Sequence, residues 1–172
     1  MRMDPKYPPV VCIVGRSGSG KTTVLEGLVR IFRGWGFRVG TIKDDPHGEM
    51  RWDQPGKDTW RHREAGAERV LGLTPQWLWL SRRLDRPLTL AEVLREFDGL
   101  DLVLAEGFKS ETAPKIEVVR QETGLDLLEG LQERWAVVSD SPLNVGVPCF
   151  RFGELEELAA FLVQRMGLRP KG

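Results

Sequence analysis

Eight residues, Gly15-Arg16-Ser17-Gly18-Ser19-Gly20-Lys21-Thr22, constrain this chain more than any others. They satisfy the pattern GxxxxGK[ST], and they stand between a continuous apolar run at residues 10–14 and a stretch whose apolar residues, Val24, Leu25, Leu28, Val29, Phe32 and Trp35, recur at helical spacing. A strand, a glycine-rich turn and a helix in that order are the setting in which this motif works. The glycines let the backbone wrap so that successive N–H groups face phosphate oxygens, and the positive end of the helix dipole adds to the attraction. Lys21 is placed to reach the β- and γ-phosphates, Thr22 to offer its hydroxyl to Mg²⁺, and Thr23 to meet the α-phosphate. Gly15, Ser17, Gly18, Ser19, Gly20, Lys21, Thr22 and Thr23 therefore form one expected nucleotide-binding loop.

The remaining pattern places that loop in an α/β chain. Apolar runs alternate with helical periodicity from end to end, without internal repeats, which predicts one domain over residues 1–172. The expected architecture is the P-loop NTPase three-layer fold, a mostly parallel sheet with helices on both faces. Strands are expected at 37–42, 102–105, 116–119 and 135–138, and short ones at 70–73 and 77–80. A polar helix is expected at 57–68, another from Leu90 to near Gly99 opened by Thr89 and Glu92 as a capping box, and a C-terminal helix striped by Leu155, Leu158, Ala159, Leu162 and Met166. Equal numbers of basic and acidic side chains, 25 each, remove the electrostatic footprint of a general nucleic-acid binder. No run of about 18 apolar residues suggests a membrane span, and Cys12 and Cys149 read as small core residues suited to a reducing cytoplasm.

A loop that binds Mg²⁺-nucleotide needs a carboxylate at the same sheet edge. Asp101 and Glu106 flank the strand at 102–105, on the order of 16 Å apart at about 3.3 Å per residue. Nucleotides lie at the carboxyl ends of parallel strands, so Glu106 is the expected metal-side acid. The same reasoning brings Lys43, Asp44 and Asp45, just beyond the second strand, close to the loop. Asp44 is a candidate metal ligand and Asp45 a candidate for positioning the attacking water. Arg61 and Arg63, with Lys57 and His62 on the polar helix, form a candidate anion clamp. Lys109 and Lys115 are further cations that could face the site. Asp140, after the strand at 135–138, can accept from N1–H and N2–H of guanine, donors that adenine does not present together.

These residues resemble the molybdopterin-guanine dinucleotide biosynthesis adaptor family, known as MobB. The resemblance rests on GRSGSGKTTVLEGL at 15–28, RVGTIK with HG at 38–48, DQPGKDTWRHREAGA at 53–67 and DLVLAEGFK at 101–109, extended by PKIEVVR at 114–120 and AVVSD at 136–140. One departure is Asp44, where relatives usually carry a histidine. The resemblance implies a cytoplasmic homodimer that binds GTP with Mg²⁺, hydrolyses it weakly, and assists a separate guanylyltransferase that attaches GMP to molybdopterin, with molybdopterin a candidate further ligand. Slow hydrolysis fits the residues, since no glutamine is placed just after Glu106 to orient a water. Two other functions share the loop. A small-molecule kinase would use residues 43–57 as a lid with Asp45 or Asp58 as base, and a non-hydrolytic scaffold would use nucleotide binding only to set conformation.

Overall fold

The computed structural model describes residues 7–48, 50 and 53–170. It divides into two compact units, residues 1–44 with 90–172 and residues 45–89. The larger unit is built on six strands, β1 (Val10–Gly15), β2 (Val39–Lys43), β5 (Leu102–Glu106), β6 (Lys115–Val119), β7 (Arg134–Ser139) and β8 (Cys149–Phe150). Their order across the sheet is β2-β5-β1-β6-β7-β8, and every neighbouring pair is parallel. The chain therefore starts in the middle of the sheet and moves first to one side and then to the other. That reversal at β1 opens a crevice at the carboxyl ends of the strands.

Successive side chains of a strand point to opposite faces, and here both faces are covered, which is why the first strand reads as an unbroken apolar run. On one face Val11, Ile13, Leu102, Leu104, Ile116, Val118, Ala136 and Val138 pack under α1 (Lys21–Gly34) and α4 (Leu155–Met166). Helix α1 buries Val24, Leu28 and Phe32, one residue per turn, each worth roughly 1.5–3 kcal/mol of apolar burial. On the other face Val10, Cys12, Val14, Val103 and Ala105 meet Leu90 and Leu94, with Leu128 and Leu131 of the β6–β7 connection packed alongside. Helix α4 ends as its glycine predicts. Gly167 takes φ 65°, its N–H bonds to the Gln164 carbonyl, and Leu168 N–H reaches back to Val163, satisfying carbonyls that the last turn leaves open.

Several expectations need correction. Trp35 lies beyond the end of α1 and is 39% exposed, because Gly36 turns the chain there and returns Phe37, rather than Trp35, to the core. Strand β2 accordingly begins at Val39, not at residue 37. The helix expected from Leu90 to near Gly99 runs for one turn as α3 (Leu90–Val93) and then tightens to a 3₁₀ turn over Leu94–Phe97. This places the Phe97 and Leu100 side chains against Gly40, where an added Cβ would clash with both. β8 was not expected at all, since two residues carry no periodicity.

The smaller unit, inserted in sequence between β2 and α3, holds α2 (Asp58–Glu64) and an antiparallel hairpin of β3 (Arg69–Leu73) and β4 (Leu78–Arg82). The helix is shorter than the expected 57–68 and buries no residue. Ala65 N–H bonds to the Arg61 carbonyl and Gly66 N–H to that of Arg63, so the chain turns out of the helix at Gly66 with φ 101°. Thr74 closes the hairpin by accepting from Trp77 N–H at 3.0 Å.

Candidate nucleotide site

All parallel strands deliver their carboxyl ends to one edge, so Gly15, Lys43, Glu106, Val119 and Ser139 finish together. At Gly15 the backbone leaves the sheet with φ 153°, and a Cβ there would strike the Val118 carbonyl of the neighbouring strand and lie 2.7 Å from Ser19 Oγ. Only glycine lets the loop start this close to β6. Ser19 is fully buried beneath the loop with its Oγ unpartnered. Gly20, at φ 96°, stands at the N-cap of α1. Ser17, Gly18, Thr22 and Thr23 are on the exposed side or at the mouth of the loop, where a phosphate can approach the first N–H groups of the helix.

Lys21 folds back over the loop and donates from Nζ to the Arg16 carbonyl at 2.7 Å. Partial burial holds its ammonium below the usual lysine range, Glu106 opposes that shift, and Lys109 and Lys43 add to it. Lys109 thus lies within electrostatic reach of Lys21. Lys43 and Glu106, in contact at 2.7 Å, and Thr22 on the other carboxylate oxygen form a charged cluster beside the loop.

Glu106 is the centre of that cluster. It ends β5 beside Lys43, its register partner at the end of β2. Oε1 accepts from Lys43 Nζ at 2.7 Å and Oε2 from Thr22 Oγ1 at 3.0 Å, and the side chain is 9% exposed. A carboxylate and a threonine hydroxyl within one hydrogen bond are the hard-oxygen pair that Mg²⁺ takes when nucleotide phosphates and waters complete its shell. Among the described residues no group of three His, Cys, Asp or Glu side chains could hold a metal ion, so a metal here needs those extra oxygens. Asp101 stands at the opposite end of β5 and accepts from Arg38 N–H at 2.6 Å.

The other candidates are placed as follows. Asp44 N–H donates to the Glu106 carbonyl at 2.9 Å, and its carboxylate lies 3.4 Å from Phe108 N against Gly107. It braces the turn after Glu106, in which Phe108 takes a positive φ of 57°. Asp45, Arg61 and Arg63 belong to the smaller unit. Asp45 accepts from Met50 N–H at 2.6 Å, Arg61 is exposed, and Arg63 faces Glu64 at 3.7 Å. Asp140 is exposed after β7. Its carboxylate accepts from Gln121 N–H at 3.0 and 3.3 Å, and its carbonyl accepts from Arg151 at 2.6 Å.

Lys115 does not face the loop. It begins β6 opposite Cys12, at the far end of the strand from Val118 and Gly15. It is fully buried, and its ammonium donates to the carbonyls of Ala113 at 2.9 Å, Gln132 at 3.2 Å and Glu111. Burial lowers the proton affinity of Lys115 and pushes the neighbouring Cys12 thiol up to about 12, so the thiol is not primed for chemistry.

Two residues at the loop were missed. The Arg120 guanidinium lies 4.6 Å from the centroid of the Phe152 ring, and a Cβ on Gly20 would come 2.9 Å from that ring and 3.1 Å from Arg120. Arg120 follows β6, so the edge argument that selected Glu106 would have found it. Phe152 had no such signal, because it follows a two-residue strand. Beside them Arg16 bonds to the Thr123 carbonyl at 3.2 Å, tying the phosphate loop to the turn after β6.

Comparison with known proteins agrees with this geometry. Residues 10–140 match the model of the family described as molybdopterin guanine dinucleotide synthesis protein B. The chain is 36% identical over 156 residues to a molybdopterin-guanine dinucleotide biosynthesis adapter protein of Haemophilus influenzae, covering 90% of this chain and 87% of that one. It is 37% identical over 164 residues to the protein of that name from Escherichia coli, covering 92% and 93%. The crystal structure of a MobB protein homolog from Bacillus stearothermophilus superposes with a TM-score of 0.70 at 31% identity, over 92% of this chain and 97% of that one. With the family model matching residues 10–140 and relatives of 36% and 37% identity covering nine-tenths of the chain, this protein belongs to the molybdopterin guanine dinucleotide synthesis protein B family.

Proposed function

We propose that this protein is a cytoplasmic, GTP-binding adaptor in molybdopterin-guanine dinucleotide biosynthesis that assists a guanylyltransferase and turns GTP over weakly. The observation that carries the nucleotide part is the placement of Lys21, Thr22 and Glu106 around one loop. Lys21 and the N-terminal amides of α1 bind the phosphates. Thr22 and Glu106 hold Mg²⁺, which screens phosphate charge, and Asp44 keeps the turn after Glu106 in place. Weak turnover follows from what surrounds the site. Residues 107–111 include no glutamine to orient a water. The guanine preference rests on Asp140, whose carboxylate has acceptor capacity beyond the bond from Gln121.

Calorimetry with GTP, ATP and GDP, with and without Mg²⁺, tests this reading. GTP is expected to bind at least about tenfold more tightly than ATP, a difference on the scale of one charge-assisted hydrogen bond, and Asp140→Asn to narrow that gap. Glu106→Gln is expected to leave GTP affinity within about threefold while removing the dependence of turnover on Mg²⁺, since it keeps the shape but not the charge. Equal binding of ATP and GTP would remove the guanine assignment, and no binding of either would remove the whole reading.

The homodimer rests on the smaller unit. Leu71, Leu73, Trp77, Leu78, Trp79 and Leu80 of the hairpin are all more than half exposed. Leu71, Leu73, Leu78 and Leu80 share one face of the hairpin, opposite Trp79; an isolated two-stranded ribbon is marginal in water, and an exposed apolar face of this kind marks an interface. A second copy of the chain covers it in this proposal. Sedimentation equilibrium is expected to give twice the chain mass, and Leu80→Glu, on the face that Leu80 shares with Leu71, to shift the protein toward monomer; a monomeric wild type at micromolar concentration contradicts it.

A further inference from the structure

The Glu106 carboxylate already has a cation. Register places Lys43 beside it at the ends of adjacent parallel strands, and the 2.7 Å contact from Nζ to Oε1 leaves only Oε2 for Thr22. Thr22 donates its proton there, so the lone pairs of its Oγ1 stay available to a metal, but a divalent ion arriving at Glu106 meets a positive charge on the same carboxylate. Like charges at such separations repel strongly, the more so beside a largely buried group.

On the reading proposed above, we propose that Lys43 and the divalent cation compete for Glu106, and that the γ-phosphate settles the competition by taking over the Lys43 ammonium. Lys43 is thereby a positioning residue that favours nucleoside triphosphate over diphosphate. Its side chain is 51% exposed while that of Glu106 is 9% exposed, so the lysine is the partner free to move. A lysine suits the task because its ammonium is a point charge on a flexible four-carbon stem, where an arginine would grip the carboxylate through a planar fork. The ammonium has somewhere to go, since the same Glu106 carboxylate that it contacts also holds Thr22, the loop residue next to Lys21, the group that meets the terminal phosphates. A diphosphate presents no γ-phosphate to receive it, so metal binding with diphosphate must break the Lys43–Glu106 pair without replacement. Without nucleotide the pair cancels the charge that would draw a metal in.

The test uses the full chain, with Mn²⁺ as the metal probe followed by the electron paramagnetic resonance of the free ion. Wild type is expected to bind little Mn²⁺ in the absence of nucleotide. Lys43→Met is expected to bind it about tenfold more tightly or better, and the added Glu106→Gln change to abolish the gain. Calorimetry in Mg²⁺ is expected to show the ratio of GTP to GDP affinity falling about tenfold in Lys43→Met, the size of one charge-assisted hydrogen bond. Lys43→Gln, closer to the native polarity, is expected to repeat both results. Variants that bind GTP yet show Mn²⁺ affinity and a GTP to GDP ratio equal to wild type overturn the inference, as does a gain in Mn²⁺ binding that survives Glu106→Gln. Failure of wild type to bind GTP overturns the functional reading instead, so the two failures are separable.

Discussion

Replacing Lys21 by alanine is expected to weaken GTP binding by about 100-fold or more, because truncating one partner of a desolvated, hydrogen-bonded charge pair costs about 2–5 kcal/mol. The fold should survive, since Lys21 contributes no side chain to the apolar core and, among the described residues, the hydrogen bond its side chain makes is to the Arg16 carbonyl. Thermal unfolding of the variant close to that of wild type, alongside the loss of binding by calorimetry, is the expected pair of results. The same ammonium leaves a signature in pH. Burial lowers its proton affinity below the ordinary value of 10.5 in the free protein, whereas bound phosphates favour the charged form and raise it. Between those two values the complex holds more protons than the free protein, so affinity falls as pH rises, and binding takes up protons. Calorimetry in buffers of different ionisation heat, over a pH series rising to the ordinary lysine value of 10.5, is expected to show that uptake in wild type. Equal affinity in wild type and Lys21→Ala contradicts the assignment.

Arg134→Met is expected to destabilise the fold most. Glu117 sits fully buried in the middle of β6, on the face lined by Leu128 and Leu131. Its Oε2 accepts from Arg134 Nε at 2.7 Å and its Oε1 from Leu128 N–H at 2.6 Å, while Arg134 also donates to the Leu128 carbonyl at 2.8 Å. One ion pair thus fastens the irregular connection between β6 and β7 to the sheet. Removing the arginine leaves a buried carboxylate with no cation, at a cost of about 3–5 kcal/mol. At about 2–4 °C per kcal/mol for a chain of this size, the midpoint should fall by roughly 10 °C. Glu117→Leu combined with Arg134→Met is expected to recover much of that loss, because the charge that needed a partner is gone. An unchanged midpoint in the single variant would show that the pair is not what holds the connection.

What could be read from residues alone was whatever local pattern controls. The phosphate loop was legible because its backbone conformation, its glycines and its lysine are contiguous. Glu106 was legible because strand polarity is a local property, and in a parallel sheet one end of every strand meets the nucleotide. Helices α1 and α4 showed themselves by apolar stripes three and four residues apart. Lys115 illustrates the opposite case. It lies near the motif in type and spacing, yet the register of β6 against β1 puts it beside Cys12 at the wrong end of the sheet.

Register is a long-range property, set by which faces must be buried once the strands meet, and no window of sequence contains it. The same holds for the Lys43–Glu106 contact, which joins residues 63 apart, and for Arg120 on Phe152 behind Gly20. The polar helix and the short strands around it were visible as elements, but only the folded chain set them in a unit of their own, with a hairpin that buries little of its apolar surface. Sequence by itself determined that a nucleotide loop would open a parallel α/β sheet and which acid would stand across from it. The tertiary structure decided which cation that acid holds, because the choice depends on strands that touch only after the sheet has assembled.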